Sequence, residues 1–161
     1  MEIEMTIKGL MVDPVNNMPI VVLREEGGER VLPIWVGVFE ANAIALQLEN
    51  VTPARPMTHD LLRNVIEDLD AQVERIVVYD LRETTFFAVI HLARAGEPVV
   101  VDSRPSDAIA LALRVRAPIY VEETVIERAR STEVLSGKEA EERLQKWLEN
   151  LDPEDLGKYK M

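Results

Sequence analysis

Hydrophobic and polar residues alternate along two stretches of the chain, and this alternation predicts two groups of β-strands. In the first group we expect strands over residues 3–13, 18–24 and 30–36, the last two joined as a hairpin by a loop with two adjacent glycines. The second group contains a hairpin and two further strands, over residues 73–81, 85–93, 99–103 and 119–121.

Three helices are predicted between the strands. Residues 38–49 are rich in helix formers. Thr58 is the expected N-cap of a second helix, and Ser106 is the expected N-cap of a nearly apolar third helix over residues 107–116. The second helix carries an apolar stripe at Leu61, Leu62, Val65, Ile66 and Leu69. The order of elements predicts an α+β fold, with a mostly antiparallel sheet or a pseudo-barrel and packed helices.

The chain carries a hint of internal duplication. The hexapeptide at residues 43–48 matches the one at residues 108–113 at five of six positions, and a proline follows each hexapeptide at the same offset. Alanine-rich helices also resemble one another because alanine permits close packing, so similar burial is the alternative explanation.

The C-terminal part differs in character from the rest. Residues 131–138 are predicted to be a linker, and residues 139–151 have the spacing of an amphipathic helix. Its apolar stripe is formed by Leu144, Trp147, Leu148 and Leu151. We therefore divide the chain into a domain over residues 1–130 and a C-terminal helical extension over residues 131–161, whose stripe docks on the domain or on another subunit.

Composition excludes several classes of protein. The chain of 161 residues is 47% hydrophobic and 29% charged, which is typical of a globular protein and excludes wholesale disorder. Cysteine is absent, so disulfides, thiolate catalysis and cysteine-ligated metals are excluded. The first residues lack a secretory pattern, and no apolar stretch reaches the roughly 18 to 20 residues that cross a bilayer. We expect a cytoplasmic protein with no membrane partner.

The charge limits how the chain can bind nucleic acid. A formal net charge of −11 repels phosphate backbones at long range, so any such binding must be local. Aromatic residues make up 5% of the chain, and this composition predicts no basic and aromatic platform for single strands. Trp35 and His91 are accordingly assigned to packing within the fold.

Two similar helix entrances are the strongest candidates for chemistry. Residues 55–60 and 102–107 each combine an arginine, a proline, a hydroxyl and a first-turn carboxylate. The positive end of a helix dipole together with an arginine suits a phosphate group. The structural alternative is that each arginine pairs with a local carboxylate, and the sequence is compatible with both interpretations. His59 could act as a general base or bind a metal.

A metal site remains possible without cysteine. Two histidines argue against structural zinc, whereas oxygen ligands could hold Mg²⁺ or Mn²⁺. The candidate ligands are Glu40, Asp60, Asp102 and Asp107. We expect no organic cofactor.

Four sequence segments resemble one known family. Residues 32–37, 40–41, 55–61 and 102–112 closely resemble the motifs of the bifunctional nuclease family, in the same order and at compatible spacing over residues 3–128. The resemblance implies an α+β domain of its own type, commonly self-associating, with nuclease activity on DNA and RNA. The residues carried over by motif are Glu40, Arg55, His59, Asp60, Asp102, Arg104 and Asp107.

Two hypotheses follow. In the first, the protein is a metal-assisted nuclease with transient nucleic-acid substrates: Arg55 and Arg104 bind the scissile phosphate, and His59 or a metal-bound water starts the attack. Asp60 and Asp107, with Glu40 or Asp102, then hold the ion. In the second hypothesis, the protein is a non-catalytic homo-oligomeric binding module whose C-terminal helix recruits a protein partner.

Overall fold

A computed structural model of the chain describes residues 1–131, which contain seven strands and four helices. The strands are β1 (Glu2–Val12), β2 (Pro19–Glu25), β3 (Val31–Trp35), β4 (Ala71–Arg82), β5 (Thr85–Arg94), β6 (Glu97–Ser103) and β7 (Ile119–Glu122). The helices are α1 (Val38–Leu48), α2 (Thr58–Asp68), α3 (Pro105–Val115) and α4 (Glu123–Ser131). Ser131, the first residue of the predicted linker, is the last residue of α4; the rest of the linker and the predicted C-terminal helix lie outside the described residues.

The strands form one sheet in the order β3-β2-β1-β7-β4-β5-β6. Neighbouring strands are antiparallel except β4 and β7, which pair in parallel. The predicted α+β fold with a mostly antiparallel sheet is therefore confirmed. The pseudo-barrel alternative is wrong for residues 1–131, because β3 and β6 are open edges of this sheet.

The topology supports the hint of duplication. Strands β1, β2 and β3 form an antiparallel meander that leads into α1, and β4, β5 and β6 form a second meander that leads into α3. Strand β7 lies between the two meanders. The matching hexapeptides thus occupy corresponding helices, which pack against each other.

The core lies between one face of the sheet and the helices. Inward-facing residues such as Ile76, Val78 and Ile90 are buried against α3, whose residues 108–112 are all buried. The prediction that the third helix is buried is confirmed. None of the helices among residues 1–131 is long and apolar enough to cross a membrane.

Two predicted helix caps are wrong by one or two residues. Met57, not Thr58, is the N-cap of α2, because the Asp60 carboxylate accepts the Met57 amide at 3.0 Å and closes the first turn. Arg104, not Ser106, is the N-cap of α3, because Pro105 takes the first helical position, where its fixed backbone angle fits and its missing N–H costs nothing.

The apolar stripe of α2 faces outward. Only Ile66 packs against the core, as a partly buried residue. Four stripe residues are exposed, namely Leu61, Leu62, Val65 and Leu69. The residues of α2 that are buried are polar, His59 and Asp60, so polar contacts hold the start of this helix in place.

Candidate functional site

Arg104 links two helices at the start of α3. Its Nε donates to Asp107 Oδ2 at 2.8 Å, and its Nη2 donates to Glu40 Oε1 on α1 at 2.7 Å. These carboxylates raise the pKa of Arg104. Because 64% of the Arg104 side chain stays exposed, its remaining N–H groups are open to an incoming anion.

His59 completes the cluster from α2. Its Nε2 lies 2.9 Å from Asp107 Oδ1, so the Asp107 carboxylate is shared between the imidazole and Arg104. Burial alone would raise the pKa of Asp107, but the hydrogen bonds from Arg104 and His59 outweigh burial and lower it. An ionised Asp107 holds the proton on Nε2 and leaves Nδ1 as the basic nitrogen.

The Nδ1 atom of His59 is not completely enclosed, although the His59 side chain is only 10% exposed. Within residues 1–131, every fully buried side-chain nitrogen or oxygen has a hydrogen-bond partner, and Nδ1 has no partner there. Nδ1 therefore keeps some accessible surface. An imidazole acts as an oriented general base when a carboxylate binds one ring nitrogen and the other ring nitrogen is accessible.

Asp60 belongs to a separate, buried ion pair. Arg114 Nε donates to Asp60 Oδ1 at 2.7 Å, and the two side chains are 2% and 11% exposed. The other Arg114 nitrogens donate to the carbonyls of Ala110 at 2.8 Å and Ala43 at 3.0 Å. Burial would raise the pKa of Asp60, but its hydrogen bonds from the Met57 amide and from Arg114 lower it. This geometry fits a structural role.

The ion pair positions the candidate base. Asp107 and Arg114 are seven residues apart on α3, which places them on the same side of the helix about 10 Å apart along its axis. His59 and Asp60 are adjacent on α2; His59 bonds to Asp107, and Asp60 bonds to Arg114. Arg114 was missed by the sequence analysis; an arginine inside a nearly apolar helix is the signal that could have revealed a buried partner.

Two sequence-predicted residues are not brought into the cluster. Asp102 is exposed on β6, and Arg55 is exposed before α2. Neither side chain makes a hydrogen bond or ion pair with another residue in the part of the chain that the structure describes.

The candidate metal ligands also stay apart. Among residues 1–131, no three histidine, aspartate or glutamate side chains lie close enough together to hold a metal ion. Asp60 is bound by Arg114, and Glu40 and Asp107 are both bound by Arg104. This donor set does not fit a divalent cation.

Comparisons with known proteins agree with the sequence motifs. A family model described as the bifunctional nuclease domain matches residues 21–133. The chain belongs to the bifunctional nuclease family. Glu40, His59, Arg104 and Asp107, which form the cluster, all lie inside the matched range.

Relatives of this family member fall into two groups. An uncharacterized protein of Mycobacterium tuberculosis strain H37Rv is 41% identical over 162 residues, covering 95% of this chain and 97% of that protein. Bifunctional nuclease 2 of Oryza sativa subsp. japonica is 32% identical over 107 residues, 64% of this chain and 33% of the plant protein. Bifunctional nuclease 2 of Arabidopsis thaliana is 30% identical over 105 residues, with 63% and 32% covered. The chain thus spans about a third of each plant nuclease.

Replacing Arg114 by methionine tests the buried ion pair. We expect Arg114→Met to lower the free energy of unfolding by about 3 to 5 kcal/mol, because it leaves the Asp60 carboxylate buried without its partner. Urea unfolding followed by circular dichroism measures this loss. Arg116→Met, at an exposed position on the end of the same helix, is the matched control and should change stability by about 0.5 kcal/mol or less. Equal effects of the two substitutions would contradict the role of the pair.

The lowered pKa of Asp107 predicts how stability depends on pH. A carboxyl whose pKa is lowered on folding stabilises the protein above its unfolded value of about 3.9, and this stabilisation disappears as the pH falls through the folded value. Asp107→Asn should therefore flatten the loss of stability below about pH 4. Urea midpoints measured from about pH 6 to pH 3 test this, with Asp102→Asn, an equal change of charge outside the cluster, as the matched control.

Proposed function

We propose that this protein is a nuclease that hydrolyses phosphodiester bonds of DNA and RNA at the cluster of His59, Asp107 and Arg104. The main support for the proposal is the 2.9 Å contact between His59 Nε2 and Asp107 Oδ1, which lies beside the mostly exposed side chain of Arg104. Family membership supports the same class of activity.

The proposed reaction uses His59 as the base. Nδ1 takes a proton from a water molecule as its oxygen attacks phosphorus, and the bond from phosphorus to the leaving sugar oxygen breaks, with solvent protonating that oxygen. Asp107 stabilises the imidazolium that forms. The free N–H groups of Arg104 stabilise the charge that develops on the phosphoryl oxygens.

The electrostatics of the cluster predict weak binding of substrate. With neutral His59, the positive charge of Arg104 is outweighed by the two negative charges of Glu40 and Asp107, so the cluster carries −1. Arg55, exposed just before α2, is our candidate for a second phosphate contact. We propose that a phosphate binds through N–H groups the carboxylates do not use, and we expect a high KM.

Cleavage of labelled DNA and RNA tests this function. His59→Ala and Asp107→Asn should each lower kcat by about 10²- to 10⁴-fold, because each removes part of the general base. Asp102→Asn, purified identically, is the matched control and should keep wild-type turnover because Asp102 lies outside the cluster. Assays with Mg²⁺, Mn²⁺ and EDTA test the metal hypothesis separately.

Each outcome of these assays points to a different conclusion. Equal turnover in wild type and both site variants would overturn the assignment. Loss of activity in EDTA and in Asp102→Asn would favour the metal site built from Glu40, Asp60, Asp102 and Asp107. No activity in any preparation would favour the non-catalytic binding module.

We also propose that the protein self-associates through β6. This strand is an open edge of the sheet, and three consecutive valines on it, Val99, Val100 and Val101, are 42%, 57% and 42% exposed. Antiparallel pairing with a second copy, centred on Val100, places Val99 opposite Val101, and Glu97 opposite Ser103, so no two carboxylates face each other. An open, apolar edge strand is a template for pairing with another chain.

A lysine on the edge tests self-association. Val100→Lys should shift the protein to the monomer in sedimentation velocity, because a charge facing its own copy across the two-fold axis repels and blocks edge pairing. Val15→Lys, at a 92% exposed position in the β1–β2 turn, is the matched control and should leave the assembly unchanged. A wild-type monomer, or an unaltered Val100→Lys oligomer, would contradict the proposal.

A further inference from the structure

Aromatic and arginine side chains gather on the side of the sheet that faces away from the helical core. The Tyr79 and Phe87 rings lie 6.4 Å apart between centroids, and Arg82 Cζ lies 4.5 Å from the Phe87 centroid. Farther along β4, Arg75 Cζ lies 5.7 Å from the centroid of Tyr120 on the neighbouring strand β7. We call these five residues, from β4, β5 and β7, the aromatic face.

The sheet register shows that these residues share one side. Tyr120 pairs with Val77, which pairs with Val89, and paired residues in a sheet point to the same side. The alternate positions, Ile76 and Val78, lie in the core. All three rings are partly exposed, so the aromatic face is a surface and not a second core.

The aromatic face borders the candidate site. Ala88 pairs with Ser103, so the next residue along each strand brings Phe87 level with Arg104. Adjacent strands are about 5 Å apart. The backbones of Phe87 and Arg104 therefore lie about one strand spacing apart, so a nucleic-acid strand bound at Phe87 lies next to the end of α3 that carries the cluster.

We infer that the aromatic face binds the bases of single-stranded nucleic acid and leads the strand to the cluster at Arg104. This inference rests on the proposed function, because it names the form of nucleic acid that the same site takes. Aromatic rings on an open sheet stack unpaired bases. Arg75 and Arg82, which pair with Glu2 and Asp80, add cation–π contacts and offer their remaining N–H groups to the phosphates. Stacking needs no positive field, which is consistent with the net charge of −11.

Equilibrium binding, measured without cleavage, tests the inference. Fluorescence anisotropy of labelled ten-nucleotide DNA, with the full chain carrying His59→Ala and in EDTA, should show at least about tenfold tighter binding of the single strand than of the duplex. In this background, Phe87→Leu and Tyr120→Leu should each weaken binding about tenfold, because leucine is apolar but cannot stack. The ring-keeping variants Phe87→Tyr and Tyr120→Phe should bind within about twofold of the parent.

Salt dependence gives a second readout. With Arg75, Arg82 and Arg104 at the phosphates, the slope of log affinity against log salt should be about −2.1, much shallower than for a basic binding protein. Thermal unfolding of each leucine variant shows that the affinity is compared between folded proteins.

The inference and the proposed function can fail separately. Ring-dependent binding by a protein that cleaves nothing would keep the inference and overturn the nuclease. Cleavage by wild type, with unchanged binding in both leucine variants, would overturn the inference and keep the nuclease. Equal binding of duplex and single strand, no binding at all, or leucine variants that change only the oligomeric state in sedimentation would also overturn the inference.

Discussion

The buried ion pair between Arg114 and Asp60 is the contact on which the rest of the site depends. Removing two charges from water is costly, so such a pair persists only where its geometry satisfies the remaining donors and acceptors. Here the guanidinium also donates to carbonyls of Ala110 and Ala43, and the carboxylate also accepts the Met57 amide. One side chain thereby joins α1, α2 and α3. Because apolar packing of α2 is slight, these polar contacts determine where His59 lies.

Much of the fold could be predicted because hydrophobic periodicity records which side of an element is buried. The seven strands and the first three helices follow the predicted pattern, with ends displaced by a few residues. The cap errors at Thr58 and Ser106 have a common cause. Residue type favoured a hydroxyl at the cap, whereas the carboxylate of Asp60 and the ring of Pro105 decided where each helix starts.

The sequence predicted some contacts of the site and missed others. The predicted contacts are those between residues of one motif. Arg104 and Asp107 are near in sequence, so their pairing could be expected from spacing alone. Contacts from α1 and α2 depend on helix packing, which a single motif does not contain. Asp102 has the same residue type as Asp107, yet it points away because it still belongs to the strand. The aromatic face was missed because its three rings lie on β4, β5 and β7 and become neighbours only in the sheet.

The position of β7 bears on how the protein is made in the cell. This short strand is synthesised after both meanders, yet it is the element that joins β1 to β4. A nascent chain that has left the ribosome only as far as α3 has two three-stranded pieces and no continuous sheet. Completion of the domain therefore waits for residues 119–122, and the unpaired inner edges of β1 and β4 are open to wrong partners until then.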